Sequence, residues 1–325
     1  MTENLRRVSD FSPDEAVMLE DVLHGLALPQ KSIPSLYFYD QRGSELFDAI
    51  TDLPEYYPTR TEISILATHG PEMAALLGPG VRLIELGSGS AVKTELLLAN
   101  LEAPAAYVPV EISRQHLLAA AARIAEDFPQ LEVLPVTADF TEPYDLPEPK
   151  HGTVRRNVAF FPGSTIGNFP RGMAADLLRT TSREVGPGGA MLIGVDLEKD
   201  RATLERAYND SAGITAAFNL NMLARLNREL GANFDLDAFR HQAVWDDAAG
   251  RIEMRLVSLR AQTVSLADQD FAFAAGEILV TEYSHKYSLE GFRALAQANG
   301  FTVAQVWMDP EQLFSVQLLA AQDEG

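Results

Sequence analysis

The stretch VRLIELGSGSAVKT, residues 81–94, decides how the rest of the chain is read. An apolar run from Val81 to Leu86 passes through Gly-Ser-Gly-Ser into a helical pattern over residues 91–101. An apolar run, a glycine turn and a helical period together describe a buried strand feeding a helix. Gly87, Ser88 and Gly89 form the turn, and the two glycines let a ligand approach the backbone closely. The free N–H groups that open a helix face whatever sits there. The stretch therefore has the form of the front end of a nucleotide-type cofactor site.

Three readings of that turn stand side by side. A dinucleotide fingerprint would be G-x-G-x-x-G, and here Val92 occupies the third glycine position. Glu85, two residues before Gly87, instead fits the E-x-G-x-G turn of S-adenosylmethionine (SAM) methyltransferases. The third reading is a strand-to-helix turn without a ligand.

Working outward, the chain alternates. Strands are expected at 81–86, 106–111, 131–137, 157–161 and 190–195, with helices at 91–101, 113–127 and 170–185. Such alternation predicts an α/β fold, a parallel sheet with helices on both faces, whose ligands sit outside the carboxyl ends of the strands. After Asp196 the alternation stops. Residues 199–230 read as helical, and 239–284 as several strands. A helix at 288–299 and two further strands then complete the pattern, as though 197–286 were an insertion. On the other side of the glycine turn, residues 14–27 have a helical apolar face. Residues 61–77 read as one or two helices broken near Gly70-Pro71. Between them lies KSIPSLYFYDQRGSELFDAITDLPEYYPTRTE, residues 31–62, rich in aromatics and expected to be a loop-rich wrap with one short helix near 44–50. The expected division is 61–196 with 287–325 as one domain, which holds the glycine turn, and 1–60 with 197–286 as a second, α+β domain.

Composition narrows the function. The 325 residues carry a net charge of −20 and 46% hydrophobic residues, so a sizeable core is expected. The charge argues against a nucleic-acid partner and against an anionic membrane, both of which call for Lys and Arg. The sequence has no cysteine, which removes disulfides and thiolate chemistry and fits a cytoplasmic protein. The N-terminal residues have no apolar signal core, and no run approaches membrane-spanning length. The six histidines lack the close spacing of a metal site, so no metal is expected and they read as surface or core residues. No long apolar seam is evident, which favours a monomer.

Several residues stand where chemistry would be. Glu111 ends the second strand, where a carboxylate can accept both hydroxyls of a ribose. Asp139-Phe140 ends the third, placed for an adenine amino group and ring. Lys93 sits in the first turn of a helix, a position the dipole disfavours for a cation, so it should face an anion such as the methionine carboxylate of SAM. Asn168 closes the loop PGSTIGN, 162–168, where a methyl acceptor would meet the sulfonium, and its amide can both donate and accept. Glu282 and Ser284 share one face of a strand, and a carboxylate plus a hydroxyl can pair the two nitrogens of an imidazole. Equally, each of these is compatible with an ordinary strand end, turn or solvated face.

Longer segments carry more than spacing. YFYDQRGSELFDAITDLPEYYPTRTE, ELGSGSAVKTELL, FFPGSTIGNF, AYNDSAGITAAFNLNMLARLNREL, RIEMRL and EILVTEYSHKYS together resemble the histidine-specific Nα-methyltransferases of ergothioneine biosynthesis. The resemblance runs over nearly the whole chain. It implies a class I SAM-methyltransferase Rossmann-like domain with a substrate domain built from the N-terminal segment and an insertion. It also implies conversion of L-histidine to its trimethyl betaine, hercynine, with SAM leaving as S-adenosylhomocysteine. Gly87, Lys93, Glu111, Asp139 and Phe140 fall on SAM-contacting positions, with Glu111 standing where close relatives have Asp. Tyr56, Asn168, Tyr208, Glu282 and Ser284 fall on histidine-binding positions. Asn168 and Tyr208 would hold the amino-acid backbone groups, Glu282 and Ser284 the imidazole, and Met254 the side-chain pocket wall. Tyr39 and Phe47 would face the amine. Tyr283 and the run His285-Lys286-Tyr287 are bulkier than in some members, and related enzymes act on a tryptophan derivative. A Glu-x-Ser pair favours histidine, because an indole offers one donor and no acceptor. The alternatives are another amino acid or amine as acceptor, a SAM-binding module without catalysis, or a dehydrogenase.

Overall fold

The computed structural model of the protein describes residues 4–11, 15–89 and 91–322. In chain order its elements are β1 (Ser9–Phe11), α1 (Glu15–Ala27), α2 (Gln41–Thr51), α3 (Tyr57–Leu77), β2 (Val81–Leu86), α4 (Val92–Leu98), β3 (Ala106–Glu111), α5 (Arg114–Asp127) and β4 (Val136–Ala138). Then follow β5 (Arg156–Phe161), α6 (Arg171–Val185), β6 (Ala190–Asp196), α7 (Arg201–Tyr208), α8 (Ile214–Leu230), β7 (Phe239–Asp246), β8 (Arg251–Ser258) and β9 (Gln262–Leu266). The last are β10 (Gln269–Phe273), β11 (Ile278–His285), α9 (Leu289–Ala298), β12 (Phe301–Met308) and β13 (Phe314–Ala321). The described residues divide into two compact units, 4–11 with 58–198 and 286–322, and 15–57 with 199–285.

The first unit is built on an eight-stranded sheet in the order β1-β4-β3-β2-β5-β6-β13-β12. Strands β1 to β6 run parallel, while β13 lies antiparallel to β6 and β12 antiparallel to β13. The chain winds outward from β2 in one direction through β3 and β4 and in the other through β5 and β6. The reversal point therefore falls between β2 and β5, which brings the turn after β2 beside the loop after β5. The strands are apolar on both sides because both sheet faces are covered. Val81, Leu83 and Tyr107 pack with residues of α3, α4 and α5. Ile84, Leu86 and Val108 pack with residues of α6 and α9.

Four local expectations needed correction. Helix α3 does not break at Pro71 but continues through it. A proline inside a helix costs about 3 kcal/mol or more. Leu66, Met73, Ala74 and Leu77 of α3 are all buried in one core, and each large apolar side chain contributes about 1.5–3 kcal/mol, so packing outweighs the lost hydrogen bond. The wrap over 31–62 is more ordered than expected, with a 3-10 turn at Ser35–Phe38 and α2 capped by Asp40, which accepts from Gly43 N at 2.7 Å. The strand expected at 131–137 is confined to β4, with only isolated bridges at Val133. Finally, β1 pairs with β4 in the main sheet, so the first residues group with the first unit and not with the wrap.

The second unit has a three-stranded antiparallel sheet, β11-β8-β7, and a two-stranded one, β10-β9. The wrap is stitched to β11 by Ile33 N donating to Val280 O at 2.9 Å and Val280 N to Lys31 O at 2.9 Å. The helical stretch after Lys199 is two helices. Asp210 separates them, its carboxylate accepting from Ile214 N at 2.9 Å and Thr215 N at 2.8 Å to cap α8. Helix α8 buries Phe218, Asn219, Met222, Leu223 and Leu226 at helical spacing and ends at Gly231 in the left-handed region (φ 68°). Helix α2 is held to α8 by Asp40, which accepts from Asn221 Nδ2 at 2.8 Å and from Arg228 at 2.6 Å.

Candidate functional site

The turn after β2 has the shape a cofactor needs. Gly87 lies at φ 74°, a conformation that side chains disfavour. A Cβ built on Gly89 would meet nothing within 4 Å, so its backbone faces open space. Ser88 is 1% exposed and its hydroxyl has no hydrogen-bond partner in the structure. A buried hydroxyl left unpaired costs free energy that a polar ligand would recover. These residues fit a SAM-type ligand.

Below the turn, Glu85 is buried and accepts from Thr94 Oγ1 at 2.7 Å and from the Tyr107 hydroxyl. Burial pushes its pKa up to about 7, against those two hydrogen bonds and the nearby Lys93. It braces the glycine turn against α4 and β3 from within the core. Glu111 closes β3 and accepts from Ser113 N at 3.0 Å; burial lifts it to about 7 as well, against the backbone N–H groups of Ser113 and Ile112. Asp139 uses Oδ1 to accept from Thr141 N at 2.9 Å and Thr141 Oγ1 at 2.7 Å, which fixes the turn after β4. Phe140 stands beside the glycine turn: a Cβ on Gly87 would lie 3.5 Å from its ring, which also packs edge-on against Phe161 at 5.4 Å.

Lys93 does face an anion, and in the structure that anion is Glu62 of α3, at 2.6 Å. Glu62 is fully buried and also accepts from Gly163 N at 2.8 and 3.1 Å. A Cβ on Gly194 would lie 2.0 Å from Glu62 Oε1, so β6 carries glycine where the carboxylate passes. One carboxylate thus ties the first turn of α4 to the loop carrying Asn168. That loop is further fixed by Ser164, at φ 58°, whose Oγ accepts from Asp196 N at 2.9 Å. Asn168 ends the 3-10 turn Thr165–Asn168 and is partly exposed. Glu62 was not singled out in the sequence, where it reads as one more charge on a helix.

In the second unit the remaining residues gather around α8. Tyr39 and Phe47 meet edge-to-face at 5.8 Å, and both contact Phe218, at 6.0 and 5.9 Å. Phe47 contacts Tyr56 at 6.4 Å, and Tyr56 contacts Tyr208 at 6.0 Å. The Tyr208 hydroxyl is 2.8 Å from Ser284 Oγ. The pairing of β11 with β8 sets Glu282 opposite Met254 and Ser284 opposite Ile252, so Glu282, Ser284 and Met254 share a face. Tyr283 points to the other face, where the Arg251 guanidinium lies 3.7 Å from its ring centroid. Its bulk is therefore directed away from Glu282 and Ser284. The structure thus brings together Tyr39, Phe47, Tyr56, Tyr208, Met254, Glu282 and Ser284 as one aromatic-to-polar series, and adds Phe218, which in the sequence is only one apolar residue on the face of α8.

Among the described residues no group of three or more His, Cys, Asp or Glu side chains is arranged to hold a metal, and no helix is long and apolar enough to cross a membrane.

A family model described as "Histidine-specific methyltransferase, SAM-dependent" matches residues 18–321. The histidine N-alpha-methyltransferase of Mycolicibacterium smegmatis is 44% identical over 92% of this chain and 93% of its own length. Ergothioneine biosynthesis protein 1 of Neurospora crassa is 31% identical over 85% of this chain, which matches 32% of that longer protein. Among solved structures, a methyltransferase from Thermobifida fusca matches 92% of this chain and 97% of its own with a TM-score of 0.50 and 12% identity, a likeness of fold.

Proposed function

The chain belongs to the SAM-dependent histidine-specific methyltransferase family, and from that premise we propose that it methylates the α-amine of L-histidine successively to hercynine, the opening reaction of ergothioneine biosynthesis. The first unit is the cofactor domain and the second the substrate domain. The observation that carries the substrate is the sheet face shared by Glu282 and Ser284 of β11 and Met254 of β8, with Tyr208 on Ser284 and the aromatic series beyond. A carboxylate and a hydroxyl on one face offer an imidazole both the acceptor and the donor that its two nitrogens require.

SAM supplies a methyl carbon made electrophilic by its sulfonium. The Gly87–Gly89 backbone and Ser88 would receive its polar edge, Glu111 would accept from the ribose hydroxyls, and Asp139 with Phe140 would hold the adenine. Lys93, already paired with Glu62, would offer its remaining donors to the methionine carboxylate. In the substrate domain, Tyr208 would hold a backbone group of the acceptor; in the cofactor domain, the resemblance gives Asn168 a like role. An ammonium has no lone pair, so a proton must leave the amine before each transfer, in which the N–C bond would form as the methyl–sulfur bond breaks and S-adenosylhomocysteine leaves; the phenol of Tyr39, directly or through water, would take part in removing that proton. Each transfer brings the nitrogen nearer to a permanent positive charge, which the faces of Tyr39 and Phe47 accommodate. Orientation is the main contribution of the chain's own residues. On composition and charge, the protein works as a monomer in the cytoplasm.

The test is mass spectrometry of products after incubating the purified protein with SAM and, separately, histidine, tryptophan, tyrosine or phenylalanine. Histidine bearing three added methyl groups, the others untouched, is the expected result. Methylation of a different amino acid would overturn the imidazole assignment and leave the SAM site standing.

A further inference from the structure

The motif Ala207–Leu230 carries polar residues that the binding roles above do not use, and they converge on His241 of β7. His241 Nε2 lies 2.8 Å from the Tyr208 carbonyl oxygen. A carbonyl only accepts, so Nε2 carries a proton. Its Nδ1 lies 2.9 Å from Asn219 Nδ2. The orientation of that amide is set elsewhere. Asn219 Oδ1 accepts from the Thr281 hydroxyl at 2.7 Å, and its Nδ2 also donates to Arg255 O at 3.1 Å. Nδ2 is therefore a donor toward the ring, and Nδ1 must be unprotonated. The network admits one state, the neutral ring protonated at Nε2.

What this ring holds is the last residue of α7, whose side chain hydrogen-bonds with Ser284. The next residue is held by the same strand. Asn209 exchanges two hydrogen bonds with Ala243, Nδ2 to O and N to Oδ1, each at 2.9 Å. So β7 acts as a template on which the end of α7, and with it the Tyr208 phenol, is set.

We propose that His241, oriented by Asn219 and Thr281, is a positioning residue for substrate recognition: it fixes Tyr208 against Ser284 and thereby sets the affinity for histidine. The inference rests on the histidine reading of that site. A proton added at Nδ1 would meet the Asn219 donor, and turning the amide would set its oxygen against the Arg255 carbonyl, which only accepts. Protonation therefore sets the ring against Asn219 while its Nε2–H bond to the Tyr208 carbonyl survives, so the ring carries the end of α7 with it as it shifts. The groups facing the ring leave little to offset this. Asn219 of α8 is neutral, and β8 presents the Arg255 carbonyl while the Arg255 guanidinium is bound to Glu253 at 2.7 Å. From the end of α7, the Tyr208 carbonyl and, less strongly, the Asp210 carboxylate favour the charged ring. Burial outweighs that and holds His241 below its ordinary value.

The experiment compares the full chain with His241→Leu, His241→Gln and Thr281→Val, reading KM for histidine, kcat, and SAM affinity by calorimetry between pH 5.5 and 8. His241→Leu removes one hydrogen bond to the Tyr208 carbonyl and is expected to raise the histidine KM about three- to tenfold, with SAM affinity within about twofold. His241→Gln keeps a donor and an acceptor without a titrating ring, so it should restore much of the affinity and remove a rise in KM toward acid pH that the wild type shows. Thr281→Val should raise KM about threefold without altering the fold. Unchanged histidine KM and pH profile in a folded, SAM-binding Leu or Val variant overturns the proposal. Equal loss of SAM and histidine binding in both would make the network merely structural and overturn it too. A wild-type protein that leaves histidine unmethylated would remove the substrate reading, and this proposal with it.

Discussion

On the proposed reading, Glu282 is the residue on which the acceptor's identity turns. It is buried on the strand face shared with Ser284, and an imidazole that lost it would keep only one partner. Glu282→Ala is expected to raise the histidine KM about ten- to hundredfold, the range for a hydrogen bond to a charged group, while SAM binding measured by calorimetry persists. Unaltered histidine kinetics would take the imidazole away from this residue. Glu111 makes a separate prediction in the other unit. Burial leaves its carboxyl near pH 7, and two ribose hydroxyls would donate to the ionised form. SAM binding should therefore expel a proton and tighten as pH rises from 6 to 8, and Glu111→Gln should bind more weakly with no such slope. A flat profile in the wild type would dissociate Glu111 from the ribose. The positions of Glu111 and Glu282, at or near the ends of β3 and β11, were legible in the sequence because apolar runs lead up to them. Glu62, Phe218 and His241 were not. Their importance comes from partners distant in the chain, Gly163, Tyr39 and Tyr208, which no local period reveals.

Among elements, those with strong periods were legible. The run from β2 to β6 with its intervening helices and the late α9, β12 and β13 all follow from apolar pattern and glycine punctuation. The failures have physical causes. Strand β1 is three residues long and too short to show a period. Pro71 sits in a helix whose burial exceeds the proline penalty. The wrap over 31–62 gains its order from contacts with α8 and β11, formed only once the insertion has folded. The loop after β5 depends in the same way on α3. Glu62 is its anchor, and removing one partner from a buried charge pair costs about 3–5 kcal/mol. Glu62→Ala should lose stability on that scale in urea melts, because the Lys93 ammonium and Gly163 N–H both lose their acceptor. It should also lower kcat by displacing Asn168. A variant as stable as the wild type would mean the loop is held by Ser164 alone.

Across the whole chain, carboxylates of two kinds set the response to pH. Asp40 and Asp210 are held below their ordinary value of 3.8, hydrogen bonds from Gly43, Arg228 and Asn221 and from Thr215 and Ile214 overcoming the opposing push of burial. Their contribution is present above the unfolded pKa and is lost as pH falls through the folded one. Glu85 and Glu111 behave oppositely. Burial raises both from 4.5 to about 7, so the folded state binds more protons than the unfolded between those values. Their contribution is full below pH 4.5 and disappears as pH rises through about 7. The net charge of −20 at pH 7 acts in the same direction, through self-repulsion of the compact state. The ligand-free protein should therefore be most stable near about pH 5 and melt progressively lower toward pH 8. Glu85→Gln should shallow that decline. High salt separates the two causes, because it screens surface repulsion and leaves the buried carboxyls largely untouched. If 1 M salt abolished the whole decline and Glu85→Gln changed nothing, Glu85 would be ionised harmlessly in the core. If a decline persists in salt and shrinks in the variant, the brace beneath the glycine turn is a neutral acid, and the turn is firmest where Glu85 keeps its proton.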